Sequence, residues 1–369
     1  MAMTAPSMNE RALNRALLAR QLLLERATLP AHDAIAHLIG LQSQAPHPPY
    51  TGLWSRLAEF DPETVSHGLN DRSLVRASTL RGTVHLMTAS DAASIRPHLQ
   101  PTYDRLLRAN AAFPKLDGID FEELAAFGAR QLTERPRSLN ELRPALLERW
   151  PDRDPAALAL AVSDLVPLVQ LPPRGLWRTT GKPVLTPLDS WLGPAGAVEP
   201  VESFVRRYLA AFGPANAADM QTWSGLMGLK PVFERMRPEL IAFHDGSREI
   251  YDLPEAPRPD PDTPAPVRFI AEWDNLLIGH QRRSRIISDV NRKRIATPNG
   301  MVPGTVLIDG FVQGAWKIEE RAEDATLAIT LFRAIGDADR ADLEHEGEKL
   351  LAFLTRPETS RHLSVAVIP

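Results

Sequence analysis

The chain has 369 residues, of which 44% are hydrophobic and 24% charged, with a formal net charge of −4. This length exceeds what one hydrophobic core usually organises, so we expect two to four compact units in an ordinary globular protein. The absence of cysteine excludes disulfides, zinc thiolate sites, iron–sulfur clusters and a cysteine nucleophile, and favours a cytoplasmic protein.

The N-terminal sequence gives no indication of export. The segment MAMTAPSMNERALNR has no apolar stretch followed by a small-residue cleavage site. No uninterrupted apolar run approaches the length of a membrane span. We therefore expect a protein that does not enter membranes.

The first part of the chain predicts three helices and a strand. Apolar residues recur at helical spacing over residues 9–27, and further helices are expected over residues 30–39 and 50–60, on either side of a proline-rich break. Residues 80–87 alternate between polar and apolar side chains, as in a half-buried strand.

The same order then returns. Helical patterns cover residues 121–132, 138–148 and 156–169, with the Ser-x-x-Glu pattern of a capping box at the start of the second. A strand–turn–strand pattern is predicted over residues 175–188.

A third copy has helices over residues 201–212, 217–226 and 231–237, and strand-like runs over residues 240–253 around the turn pair Asp245-Gly246. Three helices followed by a β-hairpin, repeated about every 80 residues, is the plan of a winged helix, whose third helix can enter the major groove of DNA. Three unrelated helical subdomains are the alternative. Winged helices also serve as protein–protein modules.

The pattern changes after the proline-dense residues 255–267, which are expected to form a stiff connector. Residues 305–318 predict strands around Asp309-Gly310, and a final helix is expected over residues 338–354. The fold class is therefore α+β, with three tandem winged-helix motifs before a C-terminal β-rich domain. The expected boundaries are 1–115, 116–196 and 197–254 for the winged-helix units, 255–267 for the connector and 268–369 for the C-terminal domain.

Two glutamines separated by one residue are the first candidate for chemistry. Pro46 disfavours helix at Ala45, so Gln42 and Gln44 are expected on extended backbone, where residues two apart share a face. Two carboxamides can hold a water molecule without deprotonating it strongly. That suits a positively charged leaving group, such as a purine alkylated at N7 or N3. A Gln-x-Gln pair is also common as a set of backbone hydrogen bonds in a capping loop.

The strand over residues 80–87 is a second candidate. Arg81, Thr83 and His85 are expected to share one face of it. His85 is then either a phosphate or substrate contact or a structural hydrogen-bonding group.

A third candidate is a basic segment in a chain that is acidic overall. Between Gln281 and Arg294 there are six basic residues and a single acid, Asp289. This cluster predicts a phosphate-contacting loop or hairpin, and a solvated turn with an ion pair such as Arg285 with Asp289 is the alternative. The six residues are Arg282, Arg283, Arg285, Arg292, Lys293 and Arg294.

Other catalytic signatures are missing from the sequence. It has no glycine-rich phosphate loop, no His-x-x-x-His pair and no Gly-x-Ser-x-Gly elbow. No lysine lies near the glutamine pair, which argues against a Schiff-base lyase. We expect neither a cofactor nor a metal.

At these residues the sequence resembles the winged-helix DNA glycosylase family typified by AlkZ and YcaQ. The matching pieces span most of the chain. They are Gly40-Leu41-Gln42-Ser43-Gln44, Pro49-Tyr50 with Leu53-Trp54-Ser55-Arg56, Arg81-Gly82-Thr83-Val84-His85-Leu86, and Glu272-Trp273-Asp274-Asn275-Leu276-Leu277 with His280 and Arg285.

The resemblance implies three tandem winged helices and a C-terminal β-barrel that surround duplex DNA. It also implies hydrolysis of N7-alkylguanine by a Gln-Φ-Gln motif, in which Φ is an apolar residue. Gln42 and Gln44 match the glutamines of that motif, whereas Ser43 departs from its apolar middle position. Gln44 stands where the YcaQ branch carries aspartate. This places the chain nearer the self-resistance branch, whose members remove bulky natural-product adducts. The matching pieces also mark Trp54, Arg56, Arg81, Thr83, His85 and His280 as DNA contacts.

The expected function is that of a monomeric, metal-free, monofunctional DNA glycosylase that acts on N7-alkylated purines in double-stranded DNA. Because an N7 adduct lies in the major groove, attack from the opposite side without full base flipping is expected. A non-catalytic winged-helix transcriptional regulator and a protein–protein scaffold are the alternatives.

Overall fold

A computed structural model describes residues 6–194, 196–246, 248–296, 302–321 and 323–368 of the chain. Helices and strands are mixed along the chain, and the predicted α+β class is confirmed. No helix in these ranges is long and apolar enough to cross a lipid bilayer.

Helices make up most of the regular structure, and several begin at the caps that the sequence contains. Ser138 and Glu141 form a capping box, as predicted, and the helix over residues 201–212 has the predicted bounds. In the described ranges the α-helices are α1 (Glu10–Arg20), α2 (Ala31–His37), α3 (Pro48–Trp54), α4 (Glu63–Asp71), α5 (Ala89–Ala109), α6 (Phe121–Glu134), α7 (Leu139–Arg149), α8 (Pro155–Leu165), α9 (Leu188–Leu192), α10 (Val201–Phe212), α11 (Ala217–Ser224), α12 (Lys230–Met236), α13 (Asp289–Ile295) and α14 (Asp337–Leu354).

In the described part of the chain the strands form two five-stranded sheets and one hairpin. The hairpin, formed by β6 (Ile241–Asp245) and β7 (Arg248–Asp252), lies where it was predicted, but Asp245 is the last residue of β6 and pairs with Arg248 instead of belonging to the turn. The strands are β1 (Leu41–Gln42), β2 (Leu74–Ser78), β3 (Val84–Thr88), β4 (Leu168–Gln170), β5 (Leu185–Pro187), β6 (Ile241–Asp245), β7 (Arg248–Asp252), β8 (Arg268–Ile270), β9 (Gly304–Ile308), β10 (Phe311–Arg321), β11 (Asp324–Leu331) and β12 (Ser360–Val367).

The N-terminal sheet joins the first two predicted units. Its order is β1-β3-β2-β4-β5, and β4 pairs with β2 through Arg76↔Gln170 and Ala77↔Val169. This pairing covers an edge of β2 that would otherwise expose unpaired backbone groups. The predicted hairpin over residues 175–188 is therefore wrong, because its strands are β4 and β5 instead. The predicted boundaries between winged-helix units stay predictions.

The C-terminal sheet has the order β12-β11-β10-β9-β8. In the described ranges β8 and β12 are its edges and do not pair with each other, so the sheet is open rather than the closed barrel that the resemblance implied. Its β11–β12 pair is parallel. Helix α14 packs against this sheet through Leu343, Leu350 and Leu351.

The largest core lies between the two sheets and contains α5, α10 and α11. Four buried aromatic side chains on α10 and α11 pack with ring centroids 5.1–5.7 Å apart. They are Phe204, Tyr208, Phe212 and Trp223.

Residues 255–267 carry no helix or strand, as predicted, and Arg15 holds them by a hydrogen bond to the Thr263 carbonyl oxygen at 2.7 Å.

Candidate functional site

A tight turn between α2 and β1 places the glutamine pair. Ile39 and Gly40 both have positive φ, of 56° and 88°. A Cβ on Gly40 would lie 2.7 Å from Cγ of Met87 and 2.9 Å from the Leu86 carbonyl oxygen. Only glycine fits this close approach to β3. The turn pairs Gln42 with His85, so Gln42 lies on extended backbone as predicted, whereas Gln44 lies in the bend beyond β1.

Both carboxamides are fixed with their oxygens toward the protein. Oε1 of Gln42 accepts a hydrogen bond from Nη2 of Arg81 at 2.9 Å, and Oε1 of Gln44 accepts one from the Val84 amide at 3.2 Å. Because guanidinium and amide groups only donate, neither carboxamide can be flipped without losing its bond. Neither amide nitrogen has a hydrogen-bond acceptor among the described residues, so both are available to a ligand.

Ser43 points to the opposite face of the sheet. Its Oγ accepts a hydrogen bond from Nε of Arg76 at 2.9 Å, and its carbonyl oxygen accepts one from Nη2 at 2.8 Å. Nη1 of Arg76 donates to Oε1 of Gln170 at 2.8 Å. Burial lowers the pKa of Arg76 to about 10, which still leaves it charged at neutral pH. Ser43 therefore replaces the apolar packing expected at the middle of the motif with polar contacts to a buried cation.

Arg81 links the motif to the C-terminal part of the chain. Its guanidinium donates to Oε1 of Gln42, to Oδ1 of Asn275 at 3.0 Å and to the Trp223 carbonyl oxygen. Burial lowers its pKa to about 10, and the neighbouring charge of Arg283 lowers it further. Arg81 is thus a positioning residue for Gln42. It lies in a turn with φ of 56° instead of the predicted strand, which begins only at Val84.

His85 is completely buried beside Arg81. Its Nδ1 lies 3.1 Å from the Thr83 carbonyl oxygen, which can only accept, so Nδ1 carries the proton and Nε2 faces Arg81 at 3.5 Å. Burial and the Arg81 charge lower the pKa of His85 to about 3. The imidazole is therefore neutral and structural, and the predicted DNA contact at His85 is corrected.

A bidentate ion pair attaches residues 272–277 to the N-terminal part. Nη1 and Nη2 of Arg56 donate to the Asp274 carboxylate at 2.8 and 2.9 Å, with both side chains buried. Asn275 then donates from Nδ2 to the Gly40 carbonyl oxygen at 3.3 Å. The predicted DNA contact at Arg56 is corrected, because its guanidinium is enclosed and both of its terminal nitrogens are engaged with protein groups.

Further predicted contacts also lie inside the protein. His280 and Arg285 are 1% and 2% exposed, and they hydrogen-bond to the carbonyl oxygens of Phe212 and Pro214. Trp54 is half-buried and stacks on Phe353, with ring centroids 5.9 Å apart. Thr83 donates to the Leu80 carbonyl oxygen at 3.1 Å. The positions of His280 and Arg285 exclude direct contact with DNA, and the structure gives Trp54 and Thr83 partners within the protein.

The basic segment divides into paired and available charges. Arg282 forms an ion pair with Asp245 at 2.9 Å. Asp289 forms its ion pair with Arg292, at 3.1 Å, and not with Arg285 as the alternative interpretation expected. Arg294 donates to the Phe332 carbonyl oxygen at 2.6 Å. In the described part of the chain, Arg283 is half-buried without an acceptor. Arg292, Lys293 and Arg294 lie on the short helix α13. Arg282, Arg283 and Arg285 lie in the irregular segment before it, where a loop was predicted.

Sequence reasoning missed the polar partners of the motif. Asn275 and Glu272 lie in residues 272–277, which resemble the family, but the sequence analysis gave them no role. Polar side chains within a segment that resembles the family are a usable signal. Arg76 gave no signal, since its partners Ser43 and Gln170 become neighbours only in the folded sheet. In the described ranges no group of three or more His, Cys, Asp or Glu side chains is arranged to hold a metal ion.

Known proteins identify the class to which this fold and site belong. The chain is a DNA glycosylase, since it matches the family model described as DNA glycosylase AlkZ-like over residues 35–353. It belongs to this AlkZ-like family, as the resemblance predicted. The curated relative named interstrand DNA cross-link repair glycosylase, from Streptomyces sahachiroi, is 25% identical over 371 residues, covering 95% of this chain and 96% of the relative. The solved structure of Streptomyces sahachiroi DNA glycosylase AlkZ has a TM-score of 0.78 and 22% identity, over 98% of this chain and 100% of that one.

Proposed function

We propose that this glycosylase hydrolyses the N-glycosidic bond of N7-alkylated purines in double-stranded DNA, in DNA repair or self-resistance. Its substrates include bulky guanine adducts and interstrand cross-links, in keeping with the name of the Streptomyces sahachiroi relative. The observation that carries the proposal is the pair of glutamines whose oxygens are anchored and whose amide nitrogens are unoccupied within the described structure. The family assignment favours this function over the transcriptional regulator.

The glutamines would act on a water molecule at the anomeric carbon. Each Oε1 keeps one lone pair that can accept a hydrogen from water, and each amide nitrogen can donate to the water or to a sugar oxygen. An N7-alkylated purine is already cationic, so its departure requires mainly an oriented water molecule and a stabilised sugar cation. No lysine lines the cavity at Gln42, in keeping with a monofunctional, hydrolytic reaction. We expect the protein to act as a monomer.

The duplex would be held by the predicted winged-helix units and by available cations of the basic segment. Arg283 is near enough to Arg81 to lower its pKa, and Arg292 and Lys293 are exposed on α13. These three side chains would position phosphates beside the glutamines.

A base-release assay tests the proposed function. Purified protein is incubated with a duplex that carries N7-methylguanine, and the free base and the product strand are separated by chromatography. We expect free N7-methylguanine and an intact abasic site that breaks only on alkaline treatment. Release no faster than the protein-free rate would contradict hydrolysis. Borohydride trapping of the protein on DNA would contradict the monofunctional reaction. An unalkylated duplex of the same sequence is the control.

A further inference from the structure

Glu272 lies where two cavities meet. The smaller cavity is lined by Gln42, Asn275 and Glu272, among others. The larger one, of about 890 Å³, is lined by His47, Trp177 and Glu272, among others. Glu272 therefore belongs to the wall that Gln42 faces and also to the wall of a space large enough for a drug-sized molecule.

The Glu272 carboxylate is available to a ligand. Within the described structure it has no hydrogen bond and no ion pair, and it is half-buried. The other carboxylate of the smaller cavity, Asp274, is held by both terminal nitrogens of Arg56. Desolvation raises the pKa of Glu272, and no neighbouring cation opposes this shift.

Without this residue the smaller cavity lacks a carboxylate that is free of a cationic partner. The carboxamides of Gln42 and Gln44 are neutral, and the nearby buried Arg76 and half-buried Arg81 are cations. Cleavage of a glycosidic bond places positive charge on the sugar, and the attacking water must lose a proton. A carboxylate beside the anomeric carbon meets both needs.

We propose that Glu272 is a catalytic residue of this glycosylase, whose carboxylate stabilises the sugar cation and accepts the proton of the attacking water. In this step the bond between C1′ and N9 breaks, and its electron pair neutralises the alkylated purine. The water oxygen bonds to C1′, and the water proton moves to Glu272. The inference rests on the proposed function for its substrate.

Kinetics of matched variants form the first part of the test. Glu272→Gln keeps the shape and removes the charge, so single-turnover release of N7-methylguanine is expected to slow by about 10²-fold. Glu272→Asp keeps the charge and is expected to fall between this variant and the wild type. Glu358→Gln removes a carboxylate that lines only the larger cavity, and it is expected to react at the wild-type rate. Release by Glu272→Gln at the wild-type rate would overturn the inference.

Binding to a cation analogue is the second part, and it needs no turnover. The probe is a duplex with a protonated pyrrolidine in place of one nucleoside, compared with the same duplex carrying uncharged tetrahydrofuran. The wild type is expected to prefer the pyrrolidine by about 10-fold, and Glu272→Gln to lose this preference. An equal affinity of the wild type for both duplexes would overturn the role of Glu272.

The two parts separate the two claims. A wild type that releases no base but prefers the cation, with the preference lost in Glu272→Gln, would contradict the proposed function and support a cation-stabilising Glu272. A wild type that releases base, with neither rate nor preference altered in Glu272→Gln, would leave the function standing and overturn the inference. Thermal unfolding of Glu272→Gln is expected to match that of the wild type, because the carboxylate has no partner in the described ranges.

Discussion

Replacing Arg81 tests whether the carboxamide of Gln42 must be held in one orientation. Asparagine is the suitable replacement, because Arg81 has φ of 56° and ψ of 16°, a left-handed conformation that asparagine tolerates better than most residues. The change removes the donor to Oε1 of Gln42 and frees that carboxamide to rotate. It also removes the contact between Arg81 and Asn275.

The expected size of the effect follows from the contacts of Arg81. Its guanidinium makes three hydrogen bonds to neutral acceptors, each contributing about 1.5–3 kcal/mol, or about 4–9 kcal/mol together. Burial lowers the pKa of Arg81 to about 10, which costs about 3 kcal/mol. Arg81→Asn is therefore expected to destabilise the fold by about 1–6 kcal/mol. The single bond to Gln42 corresponds to about 10- to 100-fold in the excision rate.

A double-mutant cycle of single-turnover excision separates positioning from an independent role. The four proteins are the wild type, Arg81→Asn, Gln42→Ala and the double variant. If Arg81 acts through Gln42, the double variant should be no slower than Gln42→Ala. Arg96→Gln is the control, since it removes a buried arginine cation that bonds to Gln100 on α5 instead of to the motif. Multiplicative losses in the double variant would refute the positioning role.

Four further predictions concern Gln44, helix α13 and His85. Gln44→Glu keeps the acceptor for the Val84 amide and is expected to excise much faster than Gln44→Ala in the same single-turnover assay; equal rates would contradict this. Alanine at both Arg292 and Lys293 should lower the slope of log affinity against log salt by about 2, and an unchanged slope would remove α13 from the interface. Because the pKa of folded His85 is about 3, His85→Gln should leave the pH profile of the excision rate unchanged, and a limb near pH 6.5 that disappears in this variant would show that the imidazole takes part. Folding disfavours the protonation of His85, so the free energy of unfolding should fall as the pH drops below the unfolded-state pKa of about 6.5, and chemical denaturation should show a smaller fall in His85→Gln.

Local signals predicted much of the fold. The helix at Val201–Phe212 and the hairpin that reverses after Asp245 depend on apolar spacing and turn residues that are adjacent in the chain. Helix α5 was missed, although its buried residues have helical spacing, because it continues through Pro97 and Pro101. Prolines inside a helix lack the amide hydrogen and usually mark its end.

The backbone of the predicted glutamine pair could be foreseen in part from the sequence, whereas the groups around the pair could not. Gln42 and Gln44 are close in sequence, and the prediction of extended backbone at Gln42 follows from a local rule. The groups that orient them come from far along the chain, since Arg81 bonds to Asn275 across 194 positions. Burial also depends on the whole fold, and for this reason the sequence charge of Arg285 indicated a DNA contact that its enclosed position excludes.

The most direct test of the account is single-turnover release of N7-methylguanine from duplex DNA by the wild type and by the Gln42→Ala/Gln44→Ala variant. We expect the wild type to release the base well above the protein-free rate. The variant is expected to be slower by about 10²-fold or more, with its duplex affinity and its thermal unfolding preserved. A variant that releases the base at the wild-type rate would contradict the assignment of catalysis to the two glutamines.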